Sequence, residues 1–217
     1  MKRSLITDNR PRAVVLLSGG IDSATALAET AQTHACTALL VEYGQRNAAR
    51  EMTCARMVAG QFRAEVLAVT MMMWPATSGA PLSQRGGDRV SRHYVPGRNG
   101  VLVALGLSVA EARGADRVVI GATAEDVSGF PDCRPAYFDA WRSLATLGMA
   151  RAPSITTPLA DATKADVIRR AVAAGVSLAS TWSCYGEGPS PCRMCGACLT
   201  RARGFADASV NDPLESI

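Results

Sequence analysis

Short uninterrupted apolar runs alternate along this chain with longer stretches in which apolar residues recur every three or four positions. Ala13 to Leu17 is the first such run and is closed by a Gly pair, after which Ser23 to Thr33 carries Ala24, Leu27 and Ala28 on one helical face. The cadence then repeats. It predicts a strand over Ala35 to Val41, a helix over Ala48 to Gly60, a strand over Glu65 to Val69, a helix over Val101 to Arg113, a strand over Arg117 to Gly121 and a helix over Tyr137 to Gly148. A last helix is expected over Lys164 to Ala174. Strands alternating with helices of this length need crossover connections, and these give a parallel sheet covered on both faces. Val14 to Leu17 and Val118 to Ile120 lack polar alternation, as strands buried on both sides require. The expected fold is therefore α/β, a doubly wound parallel sheet in one domain over 1–217, with a Cys-rich segment over 182–205 near its end.

Two stretches resist the pattern. Met71 to Pro96 is rich in Met, Gly, Pro, Ser and Arg without periodicity, and a loop of that length in a compact domain reads as an active-site lid. Pro189 to Cys198 is too crowded with Pro, Gly and Cys for a helix or strand.

Composition narrows the class. With 48% apolar and 19% charged residues the chain is expected to fold rather than remain disordered. No apolar run reaches the 18 or so residues that a membrane-spanning helix needs. Asp8, Asn9, Arg10, Pro11 and Arg12 interrupt the region where a signal peptide would be apolar, so a soluble, cytoplasmic protein with no membrane partner is expected. A net charge of +4 from 23 basic and 19 acidic residues is a weak field, which argues against a stable nucleic-acid partner. Lys2 and Lys164 are the lysines of the chain, so Lys164, beside Thr163 and Asp166, stands out. The cytosol keeps thiols reduced, and the seven cysteines are accordingly read as free or metal-bound.

Ser18, Gly19, Gly20, Ile21, Asp22 and Ser23 fall between the first strand and first helix, at the edge where doubly wound folds bind ligands. Gly19 and Gly20 let the backbone approach an anion, the helix N-terminus attracts it, and the Ser hydroxyls donate to its oxygens. Asp22 has the chemistry to hold Mg²⁺ against phosphates. A Walker loop, with Lys directly after its last Gly, is absent. The six residues resemble the pyrophosphate loop, or PP-loop, of the ATP pyrophosphatase superfamily. That resemblance implies ATP with Mg²⁺ as the bound nucleotide, and AMP and pyrophosphate as products. The nucleotide-binding stretch is then Leu17, Ser18, Gly19, Gly20, Ile21, Asp22, Ser23, Ala24 and Thr25.

Cys184, Cys192, Cys195 and Cys198 offer four thiolates in one local segment, with turn-forming Gly186, Gly188, Pro189, Pro191 and Gly196 between and beside them. Four sulfur ligands with no open position fit a structural, tetrahedral Zn²⁺. An iron-sulfur cluster also uses cysteines at short spacings and stays open at this point.

With both sites in view, the chain from about Arg12 to Phe205 resembles the 7-cyano-7-deazaguanine synthase family, the QueC family of queuosine precursor biosynthesis. The matching segments beyond the loop are Tyr43 to Arg46, Val95 to Asn99, Ser128 to Arg134, Thr157 to Leu159, Thr163 to Ala165, and Thr181 to Tyr185 leading into the cysteines. The resemblance implies an ATP-dependent ligase that takes 7-carboxy-7-deazaguanine and ammonia to the nitrile with two ATP, one structural Zn²⁺ and commonly a homodimer. It departs from the family pattern at Asn47, usually His, at Gly100, usually larger, at Gly186, usually Asn, and in the 71–96 stretch.

Within that reading, Asp22, Ser23 and Lys164 are the expected catalytic residues, with Lys164 a point charge for the phosphates. Arg98 and Asn99, at a helix start beside the lid, are expected to reach phosphate or the purine-like ring, Asn99 having helix capping as its structural role. Asp132 is expected to accept from the guanine-like N–H edge and Arg134 to pair with the substrate carboxylate. Cys133 lies among them without a role that the chemistry requires. Other readings share parts of the pattern: a related adenylylating enzyme with a different acceptor, a PP-loop tRNA sulfur transferase, or a zinc ribbon that binds through the basic Arg193, Arg201 and Arg203.

Overall fold

The computed structural model describes residues 9–71 and 94–215, so most of the stretch read as a lid lies outside the described residues. Five parallel strands form one sheet in the order β3-β2-β1-β4-β5, with β1 Arg12–Leu16, β2 Ala35–Glu42, β3 Glu65–Thr70, β4 Arg117–Val119 and β5 Ser154–Thr156. The helices are α1 Ile21–Thr30, α2 Ala48–Gln61, α3 Arg98–Arg113, α4 Pro135–Gly148, α5 Lys164–Ala173 and α6 Gly196–Ala208. The expected doubly wound sheet is thus present.

Successive residues of β1 explain why it sits in the middle. Ala13 and Val15, with Leu17 just past the strand, pack under α1, α2, α5 and α6, while Val14 packs under α3 and α4 with Leu39 and Val118. Each large apolar side chain fully removed from water in these two layers contributes roughly 1.5–3 kcal/mol. Phe138 and Leu27, both among the largest fully buried side chains, anchor the two layers. β1 pairs β2 on one side and β4 on the other, so the chain leaves β1 in both directions across the sheet. That reversal opens a crevice at the C-terminal ends of β1 and β4.

Two elements were not expected from sequence. β5 has three residues, too few to show periodicity. α6 begins at Gly196, inside the stretch read as too crowded for a helix, and buries Cys198, Arg201, Gly204, Phe205 and Ala208 along one face. The crowding of Pro, Gly and Cys ends at its first turn, and beyond it the helical spacing is ordinary. α1 starts at Ile21 rather than Ser23 because Gly20, extended at φ −78°, is its N-cap. α3 starts at Arg98 behind a left-handed Gly97, so Asn99 lies inside the helix and is not its cap. Arg201 is 5% exposed and paired with Asp212, which removes it from any basic surface.

Candidate active site and metal centre

The crevice is a cleft of about 850 Å³, walled by the loop after β1, the chain after β4, the start of α3 and the first turns of α6. The loop is held by its own hydroxyls. Ser18 N–H donates to Ser23 Oγ at 3.2 Å, Gly20 N–H donates to Ser18 Oγ at 3.3 Å, and Ser23 Oγ–H reaches Gly20 O at 3.1 Å. Gly19 adopts φ +82°, and a Cβ there would lie 2.6 Å from the Glu51 carbonyl oxygen and 2.9 Å from Ala55 N. Backbone of α2 therefore lies directly behind the loop. Gly121 is as tightly placed, since its Cβ would meet Ser23 N at 2.8 Å. No side chain caps α1 at Gly20, which leaves the helix start facing the cleft.

Leu17, Ser18, Gly20, Ile21, Asp22 and Ser23 line the cleft. Gly19, Ala24 and Thr25 do not line it. Ala24 and Thr25 are fully buried behind the loop, and Thr25 spends its hydroxyl on Ile21 O at 2.8 Å.

Asp22 and Lys164, 142 residues apart, meet across the cleft floor, with Lys164 Nζ 2.5 and 2.7 Å from the two carboxylate oxygens. Lys164 opens α5 just after Thr163, whose side chain and Asp166 form a capping box that fixes the helix start. Burial alone would lower the Lys164 pKa, but the Asp22 carboxylate, with Asp126 and Glu125 beyond it, outweighs burial and raises it. Asp126 accepts from Thr123 N and Thr123 Oγ1, both at 2.9 Å, and its carboxyl is pushed up first by burial and then by the Asp22 charge. Three carboxylates thus gather around one ammonium. Oxygen donors with surplus negative charge suit a hard divalent cation.

The opposite wall is made of side chains. Arg98 Nη1 lies 3.3 Å from the Tyr43 hydroxyl, its guanidinium 6.0 Å from that ring, and its buried Nε has no partner. Glu51 accepts from Gln45 Nε2 at 3.1 Å and Asn47 Nδ2 at 3.0 Å, and burial pushes its carboxyl up against those two bonds and the Arg98 charge. Asn99 donates to Asp132 O and Cys133 Sγ, both at 3.1 Å, while its backbone N–H donates to Asp132 Oδ2 at 3.1 Å. Asp132, 3% exposed, does not line the cleft, and its bonds tie it to the start of α3. Arg134 is the N-cap position of α4 and does not line the cleft either. Burial, then the Asp126 and Asp132 charges, lift the Cys133 thiol to about 12, which leaves it protonated and a poor nucleophile near neutral pH.

The four cysteines come together, with all four Sγ atoms within 4.8 Å of one another and Cys192 and Cys198 at 4.0 Å. Tetrahedral zinc with Zn–S near 2.3 Å needs sulfurs about 3.8 Å apart, so the donor set fits the ion with small adjustments. Gly186 N–H and Cys192 N–H donate to Cys184 Sγ at 3.2 and 3.3 Å, and Cys195 N–H donates to Cys192 Sγ at 3.4 Å. Such donors favour thiolates, and those from Met194 and Cys195 bring Cys192 down to about 6. Arg193 takes a left-handed φ of 60° to turn the chain between Cys192 and Cys195.

This segment is fastened to the cleft. Trp182 N–H donates to Gly19 O at 2.9 Å, and both Trp182 Nε1 and Asn47 Nδ2 donate to Cys184 O, at 2.9 and 2.8 Å. Arg50 stacks 4.8 Å above the Trp182 ring and donates to Pro189 O at 2.8 Å. Asn47, where the family pattern has His, thereby links the Cys segment to Glu51. Gly100, another of the departures, faces Tyr137, whose hydroxyl a Cβ would approach to 2.5 Å.

Sequence reasoning had not singled out Glu51, Asp126 or Glu125. A carboxylate in the first turn of α2 reads as ordinary N-terminal charge, and the two acids after β4 gain meaning only when Lys164 arrives from 39 residues away.

A family model described as queuosine biosynthesis protein QueC matches residues 12–209. A 7-cyano-7-deazaguanine synthase of Synechococcus elongatus is 41% identical over 212 residues, covering 91% of this chain and 91% of that one. The enzyme of the same description from Frankia casuarinae is 40% identical over 231 residues, with 95% and 94% covered. Among solved structures, the U34-tRNA thiolase NcsA from Methanococcus maripaludis aligns with a TM-score of 0.52 at 16% identity, over 99% of this chain and 68% of that one. NMN synthetase from Francisella tularensis gives 0.50 at 16%, over 93% and 88%. At such identity these two neighbours speak to the fold alone.

Proposed function

The chain belongs to the QueC family of queuosine biosynthesis proteins, and from that premise and the shape of the cleft we infer that it is an ATP-dependent ligase making 7-cyano-7-deazaguanine from 7-carboxy-7-deazaguanine and ammonia. The observation that carries this reading is the loop from Leu17 to Ser23, open to the cleft and closed at its far end by Asp22 and Lys164. In the reaction, a carboxylate oxygen of the substrate attacks the α-phosphorus of ATP and pyrophosphate leaves. Ammonia displaces AMP from the acyl adenylate and gives the amide with release of a proton. The amide oxygen attacks a second ATP, pyrophosphate leaves again, and loss of AMP and both N–H protons forms the nitrile.

The residues have separable parts in this. Backbone N–H groups of the uncapped first turn of α1 hold the departing pyrophosphate, and Ser18 and Ser23 fix the loop around it. Lys164 turns from Asp22 toward phosphate charge as it develops. Asp22, with Asp126 and Glu125, would hold the divalent cation that accompanies ATP, which supplies charge neutralisation. Arg98, which lines the cleft and whose buried Nε has no partner, takes the substrate carboxylate in place of Arg134, which does not line it. The four cysteines would hold zinc, which supplies a cross-link beneath the loop and no chemistry. A homodimer and free ammonia as nitrogen donor belong to the same proposal.

Incubation with ATP, Mg²⁺, ammonia and the acid, followed by mass spectrometry, tests it. Nitrile with two AMP and two pyrophosphate is the expected result. ADP and phosphate would mean a different bond is cut, and no nitrile from acid or amide would point to another acceptor.

A further inference from the structure

Glu51 is a carboxylate on the cleft wall whose surroundings are unusual. Among the described residues it makes no ion pair, and its two oxygens are each held by one neutral amide, Gln45 Nε2 on Oε2 at 3.1 Å and Asn47 Nδ2 on Oε1 at 3.0 Å. Both amides are themselves oriented. Gln45 Oε1 accepts from Tyr43 N–H at 2.8 Å, which turns its NH₂ toward Glu51, and Asn47 Nδ2 also donates to Cys184 O at 2.8 Å. The main chain is equally fixed, since the missing Cβ of Gly19 would sit 2.6 Å from Glu51 O. A buried charge with partial compensation costs free energy unless a ligand completes it. Each ionised oxygen has acceptor capacity beyond its one amide, and Glu51 lines the cleft.

We propose that Glu51 is the specificity residue of the acceptor site, its two oxygens taking the adjacent ring N–H and exocyclic NH₂ of an aminopyrimidinone edge. This rests on the ligase reading above and adds the residue that selects the ring. Two neighbouring N–H donors match a carboxylate, as Arg does in its bidentate pairs. Adenine offers an amino group beside a bare ring nitrogen, whose lone pair would face the second oxygen. Glu51 therefore discriminates the acceptor from the nucleotide that shares the cleft. Arg98, on the same wall, faces the other pole of the substrate, its carboxylate. The geometry gives Asp132 a different part, because its bonds run to Asn99 and it does not reach the cleft.

Calorimetric titration tests this without turnover, using 7-deazaguanine and its analogue lacking the exocyclic amine on wild type, on Glu51→Gln and, as a second variant, on Glu51→Ala. Wild type should bind 7-deazaguanine about 30-fold more tightly than the des-amino analogue, and the preference should fall to within a few fold in both variants. Affinity for a non-hydrolysable ATP analogue should stay within about twofold, which also shows that the variants are folded. Equal wild-type affinity for the two bases would overturn the proposal, and so would a loss of nucleotide affinity as large as the loss of base affinity. If wild type binds 7-deazaguanine selectively yet makes no nitrile, the reaction reading fails while the role of Glu51 stands.

Discussion

At one end of the cleft, consecutive residues from Leu17 to Ser23 form a loop whose backbone N–H groups and two hydroxyls bond to one another. At the other end, Tyr43 and Arg98 meet across 55 positions of sequence, and Glu51 joins them from a third element. The first wall works through backbone, so it needs Gly at Gly19 and tolerates little displacement, because α2 lies directly behind it. The second works through side chains whose hydrogen bonds run to one another, so a substitution there removes one contact and leaves the rest. Both walls lean on the Cys segment, through Trp182 N–H to Gly19 O and through Asn47 to Cys184 O. The difference predicts effects of different size and kind.

The largest should come from the shared support. Cys192 is the exposed member of the four, so Cys192→Ser removes a ligand without leaving a cavity. A structural zinc site contributes on the order of 10 kcal/mol of apparent binding energy. The variant, or wild type stripped by a strong chelator, should melt at least about 10 °C lower and lose both nucleotide and base binding. Metal analysis of the wild type should find about one zinc per chain. Iron, or loss of one wall's binding with the other intact, would break the shared-support picture.

Next comes the loop. Asp22→Asn keeps the shape but removes the carboxylate that pairs with Lys164 and that would ligate the proposed cation. Turnover should fall by about 10³-fold with little change in melting temperature, since the group acts on developing charge rather than packing. A loss below about tenfold would take Asp22 out of the catalytic machinery.

The acceptor wall should answer more selectively. Arg98→Ala removes the buried cation proposed to pair with the carboxylate, which the amide lacks, so kcat/KM with the acid should fall about 100-fold and with the amide about tenfold or less. Equal losses on the two substrates would return the carboxylate to another partner.

The contrast between the walls also explains what could be read in advance. The sheet and the loop were legible, because strand, Gly pair and helix N-terminus are local and their periodicities are strong in Val14 to Leu17 and Ser23 to Thr30. The four cysteines were legible by spacing alone. Asp132 and Arg134 were expected at the substrate because they lie in one conspicuous segment. Yet the 3-10 turn over Pro131–Cys133 points Asp132 toward the N-terminus of α3, and Arg134 becomes the cap position of α4. Glu51 gave no local signal, since its role depends on where Gln45 and Asn47 turn their amides. β5 and α6 escaped for simpler reasons, a three-residue strand and a helix that starts in a Cys-rich turn.

The smallest effect follows from burying Glu51 behind two neutral amides. Burial raises its carboxyl above the ordinary 4.5, with Gln45, Asn47 and the Arg98 charge opposing. A group whose folded value lies above its unfolded one holds more protons in the native state, so its contribution is fully present below 4.5 and is lost as pH rises through the folded value. Asp126 shifts in the same direction, and Asp166, lowered by its bonds to Thr163, in the opposite one. Wild type alone therefore reports a mixture. Subtracting the stability of Glu51→Gln from that of wild type at each pH, by urea unfolding, isolates the single carboxylate. The difference should decline with rising pH above about 4.5, with a slope of at most about 1.4 kcal/mol per pH unit, and then level off. A difference that is flat across the mildly acidic range, or that grows with pH, would mean the native state stabilises the Glu51 charge fully without a ligand, and the acceptor wall would then be as self-sufficient as the loop.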